Sequence, residues 1–253
     1  MTGILKMAYR SLRKVYHRFQ LYWSVNWTKT IYFNFKKFPF ATAKKLPVFF
    51  FGKIKLQLLT GEIIINGPIT KGMIGYGQRV EKQRVAKGIA EFSLEGKLVF
   101  NGPAQMGKDV FLYVGENAYC EFGYMTFLGS DVKLVCTDKI IIGDWTVVGY
   151  DSQIIDTNAH PMKNSETGVY YPLTSPIILG QCNSISNRIS IMAGTKTPDY
   201  CVIASNTLCT KDYTGLGSNI LIGGIPAKLL KNNYTRDWEN EKPLLKTYRI
   251  INW

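Results

Sequence analysis

Acid is missing from the start of this chain. Residues 1–61 hold 12 Lys and Arg and not one Asp or Glu, whereas residues 62–253 hold the other 19 basic residues against all 18 acids. The formal net charge of +13 therefore belongs to the N-terminal segment, and the remainder nets only +1. Long apolar runs are missing too: none approaches the ~20 residues that a membrane-spanning helix needs. The first residues lack the apolar stretch and small-residue cleavage site of a secretory signal. The five cysteines (Cys120, Cys136, Cys182, Cys201 and Cys209) form no CxxC pair, and their odd number argues against a closed disulfide framework. They read as small hydrophobes in a reducing cytoplasm. Histidine is scarcest, with only His17 and His160. What the chain does have is apolar content, 46% of its residues, enough to bury a core in one main domain with an appendage.

Leu5, Ala8, Leu12, Val15, Tyr16, Phe19, Tyr22 and Trp23 recur at three- and four-residue spacing and predict a helix over residues 3–27. Arg10, Arg13, Lys14, His17 and Arg18 crowd its other face. Such a helix suits the plane of an anionic membrane surface. It suits equally a contact with its own protein or a sister subunit, the basic side facing water. No recognition motif accompanies the charge, so nucleic acid is not an expected partner. Residues 28–60, with Pro39 and Pro47 around FATAKKL, read as a linker that ends in the strand-like VFFFGKIKLQLL. Residues 1–60 are thus expected to precede the main domain, with residues 1–30 as a peripheral membrane contact that can be removed without unfolding it.

From Gly61 the chain repeats. GEIIINGP (61–68) returns as GKLVFNGP (96–103), a shift of 35. The period then sharpens to six. Leu179, Ile185, Ile191, Thr197, Ile203 and Cys209 lead six consecutive hexads, and Ile142, Val148 and Ile154 keep the same step. Fifth positions are small or β-branched: Thr146, Ser152, Ile189, Thr195, Cys201 and Thr207. Six is the period of neither an α-helix nor a plain strand. It fits a short strand plus a corner, three to a coil, so that eighteen residues return the chain to its starting azimuth. The leading aliphatic of each hexad points inward and stacks on its equivalents, while Gly, Asn or Asp near the corners supply tight turns.

IGDWTVVGYDSQI (142–154), the hexads of 179–214 and the closing GGIPAKLLK (223–231) resemble the hexapeptide-repeat acyltransferases, near the galactoside, maltose and virginiamycin acetyltransferases. The likeness spans residues 110–231 well and 61–109 loosely. It implies an all-β fold, a left-handed parallel β-helix of triangular section, which is an exception to the right-handed crossover rule. The expected organisation is an N-terminal basic helical segment and linker over 1–60, a β-helix over 61–225, and a C-terminal helix or tail over 226–253. The resemblance also implies a homotrimer with active sites between neighbouring prisms.

The hexads stop at Asp156 and resume at Pro176. The intervening DTNAHPMKNSETGVYYPLTS is too long for a corner, and its aromatics and prolines argue for an ordered arm over 156–176. His160 stands at the arm's base, and Pro161 restricts it to extended backbone geometry. The pattern HP … GVYYPLTSPIILG matches the family's His-Pro arm, which implies that His160 is the catalytic general base. A sugar hydroxyl is a poor nucleophile until a base takes its proton, and a neutral imidazole suits that task near neutral pH. Asp156 either orients the ring's other nitrogen or caps the turn that launches the arm. Glu166 reads as solvated.

By the same gapless resemblance, contacts to acetyl-CoA fall on Asn187, Ser205, Thr210 and Lys211, with Lys228 and Lys231 meeting the coenzyme's phosphates. The alternative for the two lysines is solvated charge on a C-terminal helix. Two departures limit the carry-over: NSIS (183–186) replaces the family's Val-Trp-Ile-Gly, and Gly129 in FLGSDVKL stands where a polar asparagine often sits. Tyr124, Trp145 and Tyr150 either stack on a sugar or make subunit contacts. No metal ligand set is expected, and a β-helix carbonic anhydrase, which needs three histidines per zinc, is excluded because the coils hold only His160. The expected activity is cytoplasmic, acetyl-CoA-dependent O-acetylation of a capsule- or lipopolysaccharide-type sugar. The alternatives are N-acetylation of an amino-sugar nucleotide and a non-catalytic β-helix scaffold.

Overall fold

The computed structural model describes residues 16, 19–20, 22–78 and 88–249. The basic face of Arg10, Arg13, Lys14, His17 and Arg18 lies outside the described residues. Short runs of aliphatic and β-branched residues, too brief for helices, each become a strand of two to six residues. Successive strands visit three sheets in rotation: nine strands beginning at Val48–Phe50, seven beginning at Ile54–Leu59, and six beginning at Glu62–Ile65. Every pairing between named strands is parallel until the last, where Ile220–Gly223 meets Lys228–Asn232 antiparallel. This is a three-faced parallel β-helix, the architecture that the resemblance implies, and it is all-β apart from helices at its two ends.

The hexads map onto it directly. Ile185 lies opposite Ile203, Ile191 opposite Cys209, and Leu179 opposite Thr197, each eighteen residues apart. All six leading residues are buried, none more than 3% exposed. The shift of 35 is also one turn of the coil, since Ile63 lies opposite Leu98 and Ile65 opposite Phe100. Earlier turns are longer, with Leu112 opposite Leu134 and Leu134 opposite Ile154, so the six-residue period blurs there.

Buried fifth positions join one turn to the next. Thr146 Oγ1 donates to the Gly180 carbonyl at 2.8 Å, and Thr195 Oγ1 donates to the Cys209 carbonyl at 3.0 Å. Ser152 Oγ accepts from the Ile189 amide at 3.1 Å. A hydroxyl fits these interior sites because each finds a backbone partner. One edge carries Asp109, Asp131, Asp151, Arg188 and Asn206 at φ of 55–59°. Asp and Asn enter that left-handed region more readily than most side chains. Gly129 serves packing: a Cβ there would stand 2.6 Å from the Tyr150 amide nitrogen of the next turn.

Both ends differ from expectation. The coils begin at Val48, not Gly61, and part of the expected linker is a helix, Trp27–Lys37, laid over the free edge of the first strand. Thr30 Oγ1 accepts from the Phe50 amide at 3.0 Å, and Asn34 accepts from the Val48 amide at 3.1 Å while donating to its carbonyl at 2.7 Å. An edge strand left open would present unpaired amides to another chain, and this helix covers them. Phe33 is fully buried against Phe50 and Phe92, ring centroids 4.9 and 5.3 Å away. Val25 bridges to Phe51. Removing residues 1–30 would therefore strip part of the cap, including Val25 and Thr30, so the segment is not separable at that point.

At the other end Pro226 and Ala227 lie in a turn, and KLLK begins the strand Lys228–Asn232 rather than a helix. The C-terminal helix is Trp238–Arg249, and it packs Trp238 and Leu245 against Met125, Trp145 and Cys182. All five cysteines are free and buried. No helix among the described residues is long and apolar enough to cross a membrane.

Candidate active site

The arm leaves the prism between Gln153–Ile155 of the seven-stranded face and Ile177–Leu179 of the six-stranded face. It runs out and back as an antiparallel hairpin. Thr157 bridges Thr174 and Lys163 bridges Tyr170, while the Tyr171 amide donates to the Met162 carbonyl at 2.8 Å. At the tip the Asn164 side chain accepts from the Glu166 and Thr167 amides, a turn that Gly168 closes at φ 71°. Glu166 is exposed there.

His160 sits where the outgoing strand starts. Ala159 takes φ 60°, its amide donates to Thr157 Oγ1 at 3.0 Å, and the His160 amide donates to the Asn158 carbonyl at 2.7 Å. These bonds, with Pro161 next in the chain, fix the backbone while the imidazole stays exposed and open to a substrate.

Asp156 does not orient that ring. Its carboxylate is fully buried and accepts from the Thr137 amide at 2.8 and 3.1 Å, from Thr137 Oγ1 at 2.9 Å and from the Asp138 amide at 2.9 Å. Of the two roles open to it from sequence, the carboxylate takes the turn: it pins the arm's root to the corner of the turn beneath. Sequence reasoning missed Thr137 and Asp138, which precede the arm by nearly a full coil and carry no local signal for it. Asn183 was missed as well. It holds a fifth position, donates to Thr197 Oγ1 at 2.6 Å and accepts from the Cys201 amide at 2.7 Å.

The residues expected to meet acetyl-CoA fall on two edges. Asn187 and Ser205 stand one turn apart between the nine- and seven-stranded faces, with Ser205 Oγ donating to Asn187 Oδ1 at 2.7 Å. Thr210 and Lys211 stand on the arm's own edge, two strand spacings or about 10 Å along the axis from its root. Lys211 and Lys228 line a cleft of about 240 Å³ together with Tyr213, Gly215 and Leu216. Asp212, in the same cleft, bridges Lys196 at 3.3 Å, and the Thr214 hydroxyl and amide hold its carboxyl below the usual carboxylate range. Lys231 lies outside the cleft, its Nζ 5.6 Å from the centre of the Tyr234 ring. Within one chain, then, Lys211 and Lys228 come together and Asn187 and Ser205 come together, but the pairs stay apart.

Trp145 offers no sugar platform. It is 9% exposed, flanked by Tyr124 at 5.5 Å, with Lys242 and Lys246 of the C-terminal helix 5.2 and 5.8 Å from its ring. Tyr150 remains partly open.

An exposed His-Pro at the root of a hairpin, on the same edge as a lysine-lined cleft, completes the comparison of shape. A three-faced parallel coil interrupted by such an arm is the architecture that the resemblance to hexapeptide-repeat acyltransferases implies. No family model matches the chain. Among solved structures it is similar to NeuO, a polySia-specific acetyltransferase, at 17% identity over 79% of this chain and 92% of that one, with a TM-score of 0.47. A hexapeptide-repeat-containing acetyltransferase of Vibrio cholerae O1 biovar eltor, complexed with acetyl coenzyme A, is 21% identical over 47% of this chain and 61% of its own, TM-score 0.38. AntD, an N-acyltransferase from Bacillus cereus in complex with dTDP and 3-hydroxybutyryl-CoA, is 15% identical over 83% and 97%, TM-score 0.41.

Proposed function

We propose that this protein transfers an acetyl group from acetyl-CoA to a hydroxyl of a capsule- or lipopolysaccharide-type sugar, in the cytoplasm, with His160 as general base. The observation that carries the reading is the exposed imidazole at a rigid root, on the edge that also bears Lys211 and Lys228. In the reaction the neutral imidazole takes the hydroxyl proton as the oxygen attacks the thioester carbonyl. The C–O bond forms, the C–S bond breaks, and the imidazolium returns its proton to the departing thiolate. Lys228 meets the coenzyme's phosphates, joined by Lys211 in place of the expected Lys231 because those two line one cleft, and Asn187 and Ser205 bond the pantetheine arm.

The two pairs of coenzyme contacts lie on different edges, which suits a groove closed by two copies of the chain. The arm supports the same arrangement, because it carries Met162, Val169, Tyr170 and Tyr171 in the open, all more than half exposed. Those side chains need a neighbour to cover them. The assembly is a homotrimer in this reading, and light scattering at micromolar concentration is expected to give three times the chain mass. A monomeric mass would remove the shared groove.

Acetyl transfer itself is tested by incubating the protein with acetyl-CoA and candidate glycans. The expected result is release of free coenzyme thiol together with a glycan mass gain that mild alkali reverses, as esters allow and amides do not. An alkali-stable gain on an amino sugar would convert the reading to N-acetylation, and no turnover with any acceptor would leave a scaffold. Changing Lys211 and Lys228 together to alanine should raise the KM for acetyl-CoA roughly 100-fold, about tenfold for each charge-assisted contact. The kcat should stay near its original value, because neither lysine meets the reacting carbonyl.

A further inference from the structure

The helix that caps the prism is inside out. Its inward stripe is largely polar, Thr30, Asn34 and Lys37 around Phe33, because it satisfies the free backbone of Val48–Phe50 and the carbonyls of Leu59 and Gly61. Its outward stripe is apolar: Ile31, Tyr32 and Phe35 are each about half exposed, and Phe40 beyond the helix is 71% exposed. A helix at a soluble surface has the opposite pattern. The apolar surface continues backward through Tyr22 and Trp23, the latter 69% exposed, with ring centroids 6.2 Å apart. Exposed apolar area of this extent marks a contact.

Lysines are set among these rings. Lys36 Nζ lies 5.6 Å from the centre of the Tyr32 ring and donates to its hydroxyl, while Lys44 and Lys45 follow Phe40 in the open. No acid occurs before Glu62 to balance them. A second copy of this end would therefore bring like charge against like charge, which argues against end-to-end pairing. The strand edge beneath the helix faces along the axis of the prism, so the outward stripe forms the end of the molecule rather than a side. Aromatic rings with interspersed lysines on such an end match an interface with an apolar interior and a negative surface.

We infer that the capped N-terminal end of the prism docks on an anionic lipid bilayer through the outward face of Trp27–Lys37 and Phe40. The contact is independent of acetyl transfer, and it extends past residues 1–30 to a face that is folded into the first turn. Phosphatidylglycerol headgroups supply the negative charge, and the rings enter the headgroup boundary.

The test uses the full chain and vesicles without acetyl-CoA, so its outcome is separable from that of the transferase reading. Protein should sediment with vesicles of equal parts phosphatidylglycerol and phosphatidylcholine, remain in solution with phosphatidylcholine alone, and come off the first as salt rises. Tyr32→Ser with Phe35→Ser should weaken anionic binding by at least ~10-fold, from the apolar area withdrawn from the interface. Thermal melting should not change, since both rings point away from the core, and Phe35→Trp should restore binding in the presence of Tyr32. Three results would overturn the inference: unchanged vesicle binding by the double variant, equal binding of both vesicle types, or a fall in subunit number that shows the face covered by another copy.

Discussion

Replacing His160 with alanine is expected to lower the turnover of acetyl transfer by roughly 10²–10⁴-fold, the usual worth of a positioned proton acceptor. The loss should be confined to the chemical step. The imidazole is exposed, so its removal leaves no core cavity, and the arm's root is held by Asp156 and by backbone bonds that the substitution does not touch. Acetyl-CoA affinity should hold as well, because the coenzyme contacts lie on other turns. Thermal melting, coenzyme binding and acetyl transfer measured on one sample decide the matter. Full specific activity in folded His160→Ala protein would end the role of the histidine, and a loss of activity only in proportion to unfolding would assign it to structure.

Asp156→Ala is expected to act in the opposite way, on stability first. The substitution leaves the amides of Thr137 and Asp138 and the Thr137 hydroxyl without their acceptor at a buried corner. Hydrogen bonds to a buried charged group are individually strong, and the loss should cost about 3 kcal/mol after relaxation and water entry. Urea or thermal unfolding reads this directly. Activity should fall too, because an arm loosened at its root no longer holds His160, and substrate at saturation should restore little of it. Unchanged stability with abolished turnover would return the carboxylate to the histidine, and a single measurement of each therefore separates the two roles.

The six-residue step was legible because every turn from Ile142 onward that lacks an insertion repeats the same interior position. Leu179, Ile185 and Ile191 stack where their spacing puts them. The first turns were not legible as such. Insertions stretch the first turns to between 26 and 36 residues and the next ones to 20 or 22, and the strand at Val48–Phe50 belongs to the coil only through a pairing with Ile74–Tyr76 far along the chain. The cap was hidden for a related reason. Thr30 and Asn34 read as ordinary polar helix residues, and nothing local says that their partners are the amides of Phe50 and Val48. Trp145 read as a possible sugar platform because the helix that covers it lies almost a hundred residues later. A C-terminal helix was the alternative setting for Lys228 and Lys231, but the chain reverses at Gly224 and pairs with the preceding strand instead. In every case but the last a local pattern was overruled by a distant neighbour.

The stack of coils is also a ruler. On the seven-stranded face the first strand, Ile54–Leu59, and the strand that launches the arm, Gln153–Ile155, are separated by four spacings, or roughly 20 Å at ~4.8 Å each. With the capped end resting on a bilayer and the axis upright, the cap helix adds about 10 Å, and the imidazole of His160 works roughly 30 Å above the surface that the helix rests on. Sugars linked directly to a lipid carrier lie below its reach, and units farther out along a growing glycan come level with it. Which residue of a chain is modified would then be decided by elevation rather than by recognition alone. Lengthening or shortening the prism by one whole turn would move the modified position without altering a single group at the site.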